Sequence, residues 1–369
     1  MLMVIFGAGA SYDSSPDFPP PLIPAAQQNP GNSPAESLSR ERWRPPLATQ
    51  LFHDPNRAFA DIVANANYRK LLPILPNLRR PRNGSVEEEL ESLLAEGTAK
   101  TNADLERNRQ LFAVRYYLHD LLLKVSNEWS QHTSGVTNYV TLLDQIRHLN
   151  TASKPICLVT FNYDLLLDRA LLSFDYQPQP LDHRYFDAHP TLRLFKPHGS
   201  VDWARYIEAP PNTRLGIEQV IEQANTLKLS NTYIRADATH TASIHAFERP
   251  IAPAIAVPVQ TKTEDNFEWP PSHSATLEQL LPSVTQILII GWQGKEGHFL
   301  RLLRERLPTG GLTQLTHLQV VGKDPAESQN IREQFTQQIA RNVMHPYNGP
   351  TGGFSHFVAQ ELVRFFFED

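Results

Sequence analysis

The chain has 369 residues, 34 lysines and arginines against 39 acidic residues, one cysteine and 30 prolines. The formal charge of −5 argues against a protein that coats nucleic acid, and the single thiol, Cys157, excludes an intramolecular disulfide framework and any zinc site built from several thiolates. No apolar run approaches the roughly 18 residues of a membrane span, and the apolar start Met1–Phe6 lacks the basic region of a signal peptide, so a cytoplasmic chain without membrane contact is expected.

Residues 2–6 read as a buried strand that runs into Gly7-Ala8-Gly9-Ala10-Ser11. Residues 12–46 are rich in proline, which denies the backbone donors that ladders need; a long loop is expected, placed to act as a lid. Residues 47–149 read as helical, with a capping-box start at Ser85-Val86-Glu87-Glu88 and helices over about 103–130 and 136–149. Strand and helix then alternate. Strands are expected at 156–160, 192–195, 254–257, 286–290 and 318–321, and helices at about 164–172, 215–228, 295–306, 325–341 and 354–367. Continuous apolar strands separated by helices predict an α/β fold, a parallel sheet covered by helices on both faces. An inserted helical subdomain, 47–149, would follow the first strand.

In such a sheet ligands bind beyond the carboxyl ends of the strands. Four segments fall there: 7–11, 161–164, 291–294 and 322–324. Gly7-Ala8-Gly9 admits a ligand close to the backbone and offers amides to phosphate, though it lacks the third glycine of the hydride-transfer fingerprint and the lysine of a P-loop. A plain strand-to-loop turn is the alternative. Asn162 and Asp164 follow a buried strand and offer groups for a carboxamide or ribose hydroxyls; Asp164 equally suits a helix start. His198, in Lys196-Pro197-His198-Gly199-Ser200, is the candidate base. The remaining histidines show no metal-ligand spacing, so no metal is expected, and no nucleophile elbow is present. Arg79-Arg80-Pro81-Arg82 reads as a solvated loop rather than a nucleic-acid site.

Taken in order, Gly7-Ala8-Gly9-Ala10-Ser11, Thr160-Phe161-Asn162-Tyr163-Asp164 and Lys196-Pro197-His198-Gly199-Ser200 resemble the sirtuin-like family. They are most similar to its divergent bacterial branch, whose members hydrolyse NAD+ in anti-phage defence. Arg44-Pro45-Pro46-Leu47, Ile290-Gly291-Trp292 and Gly322-Lys323-Asp324 extend the resemblance over almost the whole chain. It implies a Rossmann-like NAD-binding core in 1–46 and 150–369. It also implies roles: Gly7, Ala8, Gly9 and Ser11 at the phosphates and neighbouring ribose, Asn162 orienting the nicotinamide ribose or a water, Asp164 on the nicotinamide carboxamide, and His198 as the base acting through the ribose hydroxyls. Gly291 and Trp292 would border the adenosine side, and Asp324 would meet the adenosine ribose.

Two departures matter. Phe161 stands where sirtuin deacylases carry glutamine, and one cysteine cannot build their four-cysteine zinc module; the thiol-free segment 201–250 stands in its place. The resemblance therefore implies an NAD+ glycohydrolase, with NAD+ as substrate, ahead of an NAD-dependent protein deacylase or a non-catalytic module that binds NAD or ADP-ribose. Gating is implied too, because uncontrolled NAD+ loss kills the host. The partners expected by family analogy are further copies of the chain, assembled through 47–149, and a sensor protein such as a ring-forming ATPase or a short Argonaute.

Overall fold

The computed structural model describes residues 1–20, 41–52, 62, 65–81, 84–96, 102–176, 181, 183–186, 188–210, 213–236, 250–259, 267–307, 315–339, 343–347, 349 and 351–367. Its strands are β1 (Leu2–Phe6), β2 (Ile156–Thr160), β3 (Leu192–Phe195), β4 (Gly199–Ile207), β5 (Leu229–Arg235), β6 (Ile251–Ile255), β7 (Gln286–Ile290) and β8 (His317–Val321).

The expected parallel sheet is present, in the order β3-β2-β1-β7-β8. β1 and β2 are buried at every residue, which is why their sequences are unbroken apolar runs rather than alternating ones. Leu2 pairs with Ile156 on one side and Gln286 on the other, so β1 is the central strand. The chain leaves β1 towards β2 and β3 and returns on the other side through β7 and β8. This reversal of strand order between β1 and β7 is a topological switch point, where the ends of neighbouring connections splay apart and leave a crevice. Helices Asn102–His132, Asn138–Leu149, Leu166–Leu172 and Gly297–Arg306 form where the apolar periodicity places them, their ends differing by about two residues.

The structure departs from the expected layout in four places. The segment 201–250 contains strands: β4 and β5 join β6 in an antiparallel sheet of order β5-β4-β6. The expected helix over 215–228 is confined to Ile217–Glu222, and the expected strand at 254–257 lies at Ile251–Ile255. Pro253 sits inside β6 without disrupting it because β6 is an edge strand, paired only with β4. The final helix breaks after Ala359, where Glu361 adopts a left-handed φ of 52°, and resumes as a 3-10 turn over Leu362–Phe366.

Apolar packing does not follow the 47–149 division. Tyr139, Leu142, Leu143 and Ile146 of helix Asn138–Leu149 pack into the core of the parallel sheet, as does Trp129. Residues from Leu51 to Val125 share a second core with Val201, Ile207, Ile255 and Val257 of the antiparallel sheet. The helix Asn102–His132 thus runs from one core to the other.

Candidate active site

The glycines at the end of β1 close the switch point. Gly7 N donates to Ile290 O at 3.0 Å and Gly9 N to Gly291 O at 3.0 Å, tying this turn to the end of β7. A Cβ on Gly7 would lie 2.5 Å from Gly291 O, and one on Gly291, whose φ is +60°, would lie 2.2 Å from Ala10 N. Side chains would force the two strand ends apart. The sequence reading assigned the Gly7 and Gly9 amides to phosphate, and the structure corrects this. Both are spent on β7; only Ala8 N–H, in the first turn of helix Ala8–Tyr12, takes no such bond among the described residues.

Asn162 fixes the same turn from the β2 side. Its Nδ2 donates to Gly7 O at 2.9 Å, Ser11 Oγ at 2.9 Å and Tyr139 Oη at 3.2 Å, all buried. Asn162 N donates to Thr160 Oγ1 at 3.1 Å, which sets the bend leaving β2. With Nδ2 turned inward, Oδ1 carries no hydrogen bond among the described residues. Asp164 accepts from Leu166 N at 3.0 Å, so the helix-start reading holds for this residue. Burial pushes its carboxyl above the usual 3.8, opposed by bonds from Ser11 and Leu166 N and by the Lys196 charge. Lys196 is fully buried. It donates to Asp164 O at 2.8 Å and pairs with Asp168 Oδ2 at 2.7 Å, strapping the loop 162–164 to helix Leu166–Leu172.

His198 leaves β3 on the adjoining loop and is buried. Its Nδ1 lies 3.1 Å from Phe161 O. A carbonyl only accepts, so Nδ1 carries the proton and Nε2 is the basic nitrogen. The ring stacks on Tyr163 at 5.7 Å and meets the edge of Phe161 at 4.8 Å; Phe161 in turn lies flat on Trp292 at 5.2 Å and 9°. Gly199 follows with φ +77°, and a Cβ there would sit 1.9 Å from Ala254 O, so β6 backbone packs directly against the residue after His198.

A cavity of about 410 Å³ opens over these groups. Of the ten residues singled out in sequence, nine line it: Gly7, Ala8, Gly9 and Ser11 from the first turn, Asn162, Asp164 and His198 from the β2 and β3 side, and Gly291 and Trp292 from β7. Asp324 does not. It caps helix Pro325–Gln338, accepting from Ala326 N at 2.8 Å, and the carboxylate on the wall there is Glu327, held by Gln293 Nε2 at 3.0 Å. Lys323 and Ser328 line the same end.

Pro20, Pro45, Pro46 and Leu47, the flanks of the expected lid, also border the cavity. Arg44 holds both flanks: its guanidinium donates to Tyr12 O at 2.8 Å and Phe18 O at 3.0 Å and lies over the rings of Tyr12, Phe18 and Trp129. Residues 21–40 of that loop lie outside the described residues. Tyr139 and the Lys196–Asp168 pair were missed as site residues. Lys196 sat within a quoted motif, whereas Tyr139 lies in an ordinary amphipathic helix that carries no site signal.

Among the described residues no cluster of three or more His, Cys, Asp or Glu side chains is placed to hold a metal ion, and no helix is long and apolar enough to cross a membrane. No family model matches the chain, and no curated protein matches it. Solved structures similar to it include two Sir2 homologue variants in complex with ADP-ribose. Each is 11% identical and covers 99% of this chain and 91% of its own, with TM-scores of 0.34 and 0.35. A third, a Sir2 homologue triple variant with 2'-O-acetyl ADP-ribose, is 12% identical over 98% of this chain and 90% of its own, with a TM-score of 0.32.

Proposed function

We propose that the chain is an NAD+ glycohydrolase that splits the nicotinamide–ribose bond and releases nicotinamide and ADP-ribose. The observation that carries this reading is one buried cluster: His198 with Nε2 basic, Asn162 with Nδ2 committed inward, and Asp164, all on the wall of a cavity at the switch point of a parallel sheet. The resemblance of the same three residues to the sirtuin-like motifs supports it. NAD+ is the substrate, and the described chemistry calls for no metal.

The bond that breaks leaves oxocarbenium character on the anomeric carbon and a neutral nicotinamide. His198 Nε2 takes the proton of a ribose hydroxyl, which raises electron density next to that carbon. Asn162 Oδ1 orients the ribose or the incoming water, and Asp164 holds the carboxamide of the leaving group. Water adds to the anomeric carbon and loses its proton, and His198 returns the borrowed proton to the ribose oxygen, so that NAD+ and water give ADP-ribose, nicotinamide and H+. The aromatic wall of Phe161, Tyr163 and Trp292 limits bulk water and strengthens these electrostatic contacts.

A cell tolerates such an enzyme only if it is gated. The reading is therefore of a cytoplasmic effector of anti-phage defence that depletes NAD+ when a sensor partner or self-assembly triggers it. The proline-rich flanks that Arg44 pins at the cavity mouth suit the lid such gating needs. The test is incubation with NAD+ in oxygen-18 water, with and without an acetyl-lysine peptide, followed by mass spectrometry. Labelled ADP-ribose and nicotinamide in equal amounts, unchanged by the peptide, are expected. Acetylated ADP-ribose formed only with peptide would make the chain a deacylase, and tight NAD+ binding without turnover would make it a binding module.

A further inference from the structure

Tyr139 belongs to helix Asn138–Leu149, outside every segment that the sequence connects to the site, yet its hydroxyl reaches the centre of the cluster. The side chain is 1% exposed. Its ring is held edge-on by Phe6 at 5.2 Å and Phe354 at 5.4 Å, which fixes the hydroxyl in space. The oxygen lies 2.9 Å from Ser11 Oγ and 3.2 Å from Asn162 Nδ2.

Hydrogen counting constrains the Asn162 side of this network. Asn162 Nδ2 has two hydrogens and three oxygens around it, so one goes to Gly7 O and the other is shared by Ser11 Oγ and Tyr139 Oη. Ser11 Oγ lies 2.9 Å from both Asn162 Nδ2 and Tyr139 Oη, so the amide and the two hydroxyls form one contiguous buried network. Burial pushes the Tyr139 phenol well above its ordinary value, with the Asp164 charge adding to the effect, so the hydroxyl keeps its proton.

Resting on the glycohydrolase reading, we propose that Tyr139 is a positioning residue for the reaction: its hydroxyl, bonded to Ser11 Oγ and Asn162 Nδ2, locks the Asn162 carboxamide with Oδ1 towards the cavity. Without the hydroxyl, Ser11 is free to turn its hydrogen and the Asn162 amide loses one of the three acceptors that define its orientation. Tyr139 touches no substrate; it acts through Asn162 and Ser11. Effects of this kind fall on the chemical step more than on binding.

The test is a double-mutant cycle with Tyr139→Phe, which keeps the ring and removes one oxygen, and Asn162→Ala, reading nicotinamide release and NAD+ affinity. Tyr139→Phe in the wild-type background is expected to lower kcat by about tenfold with KM changed less than about threefold. In the Asn162→Ala background the same change is expected to have under a twofold effect, because the group it positions is gone. Equal effects in both backgrounds, or kcat within twofold of wild type for Tyr139→Phe, overturn the proposal and leave the glycohydrolase reading standing. Wild type that releases no nicotinamide overturns that reading itself. Circular dichroism and the melting temperature of Tyr139→Phe separate loss of fold from loss of positioning: a fall in kcat that comes with loss of the native circular-dichroism signal counts against positioning.

Discussion

The two ends of the cavity are built differently. At the ends of β1 and β2, Asn162, Ser11, Tyr139, Asp164 and Lys196 are buried, and each side chain is tied by hydrogen bonds to its neighbours. At the ends of β7 and β8, Glu327 and Gln293 form an exposed pair, and Asp324 faces its own helix. A buried hydrogen-bonded network cannot adapt without leaving further polar groups unpaired, at about 1–3 kcal/mol each. An exposed pair can rearrange at little cost. The closed end is therefore suited to holding a reacting centre in one geometry, and the open end to gripping a ligand whose fit is adjustable.

Substitutions break or sharpen that contrast. The largest effect is expected at Lys196, whose ammonium is fully buried against Asp168. Lys196→Met strands the Asp168 carboxylate and should cost about 3–5 kcal/mol in urea unfolding; adding Asp168→Leu should recover much of the loss. At the open end, Glu327→Gln should raise KM for NAD+ by no more than about fivefold with kcat little changed, as a surface contact worth about 0.2–1 kcal/mol allows. A large fall in kcat there would erase the contrast.

The smallest effect is a slope. Burial raises the folded Asp164 carboxyl above 3.8, so between the unfolded and folded values the native state binds more protons. That contribution to stability is present at low pH and is lost as pH rises through the folded value. Asp164→Asn removes the titration and keeps an acceptor for Leu166 N. Its stability relative to wild type should increase from pH 4 to pH 7, as read from urea midpoints; a parallel offset at all pH values would contradict the assignment.

The closed end was the more legible of the two in the sequence. Gly7, Gly9, Asn162 and His198 sit directly after apolar strands, where few other residue types meet such geometric demands. The strands themselves are legible because burial on both faces leaves unbroken apolar runs. The antiparallel sheet was not, because β5 is half-exposed and polar and Pro253 argues against a strand unless its edge position is known. Tyr139 was invisible because its role comes from a contact with residue 11 across 128 positions. Asp324 was misread although its signal was local: Asp-Pro at a helix start is a capping pattern.

The central claim is that His198 acts in the chemical step. The direct measurement pairs nicotinamide release with calorimetric NAD+ binding for wild type and His198→Ala. The account predicts a fall in release of about 10²–10⁴-fold with affinity within about threefold of wild type. Release that persists at the wild-type rate in His198→Ala would contradict it.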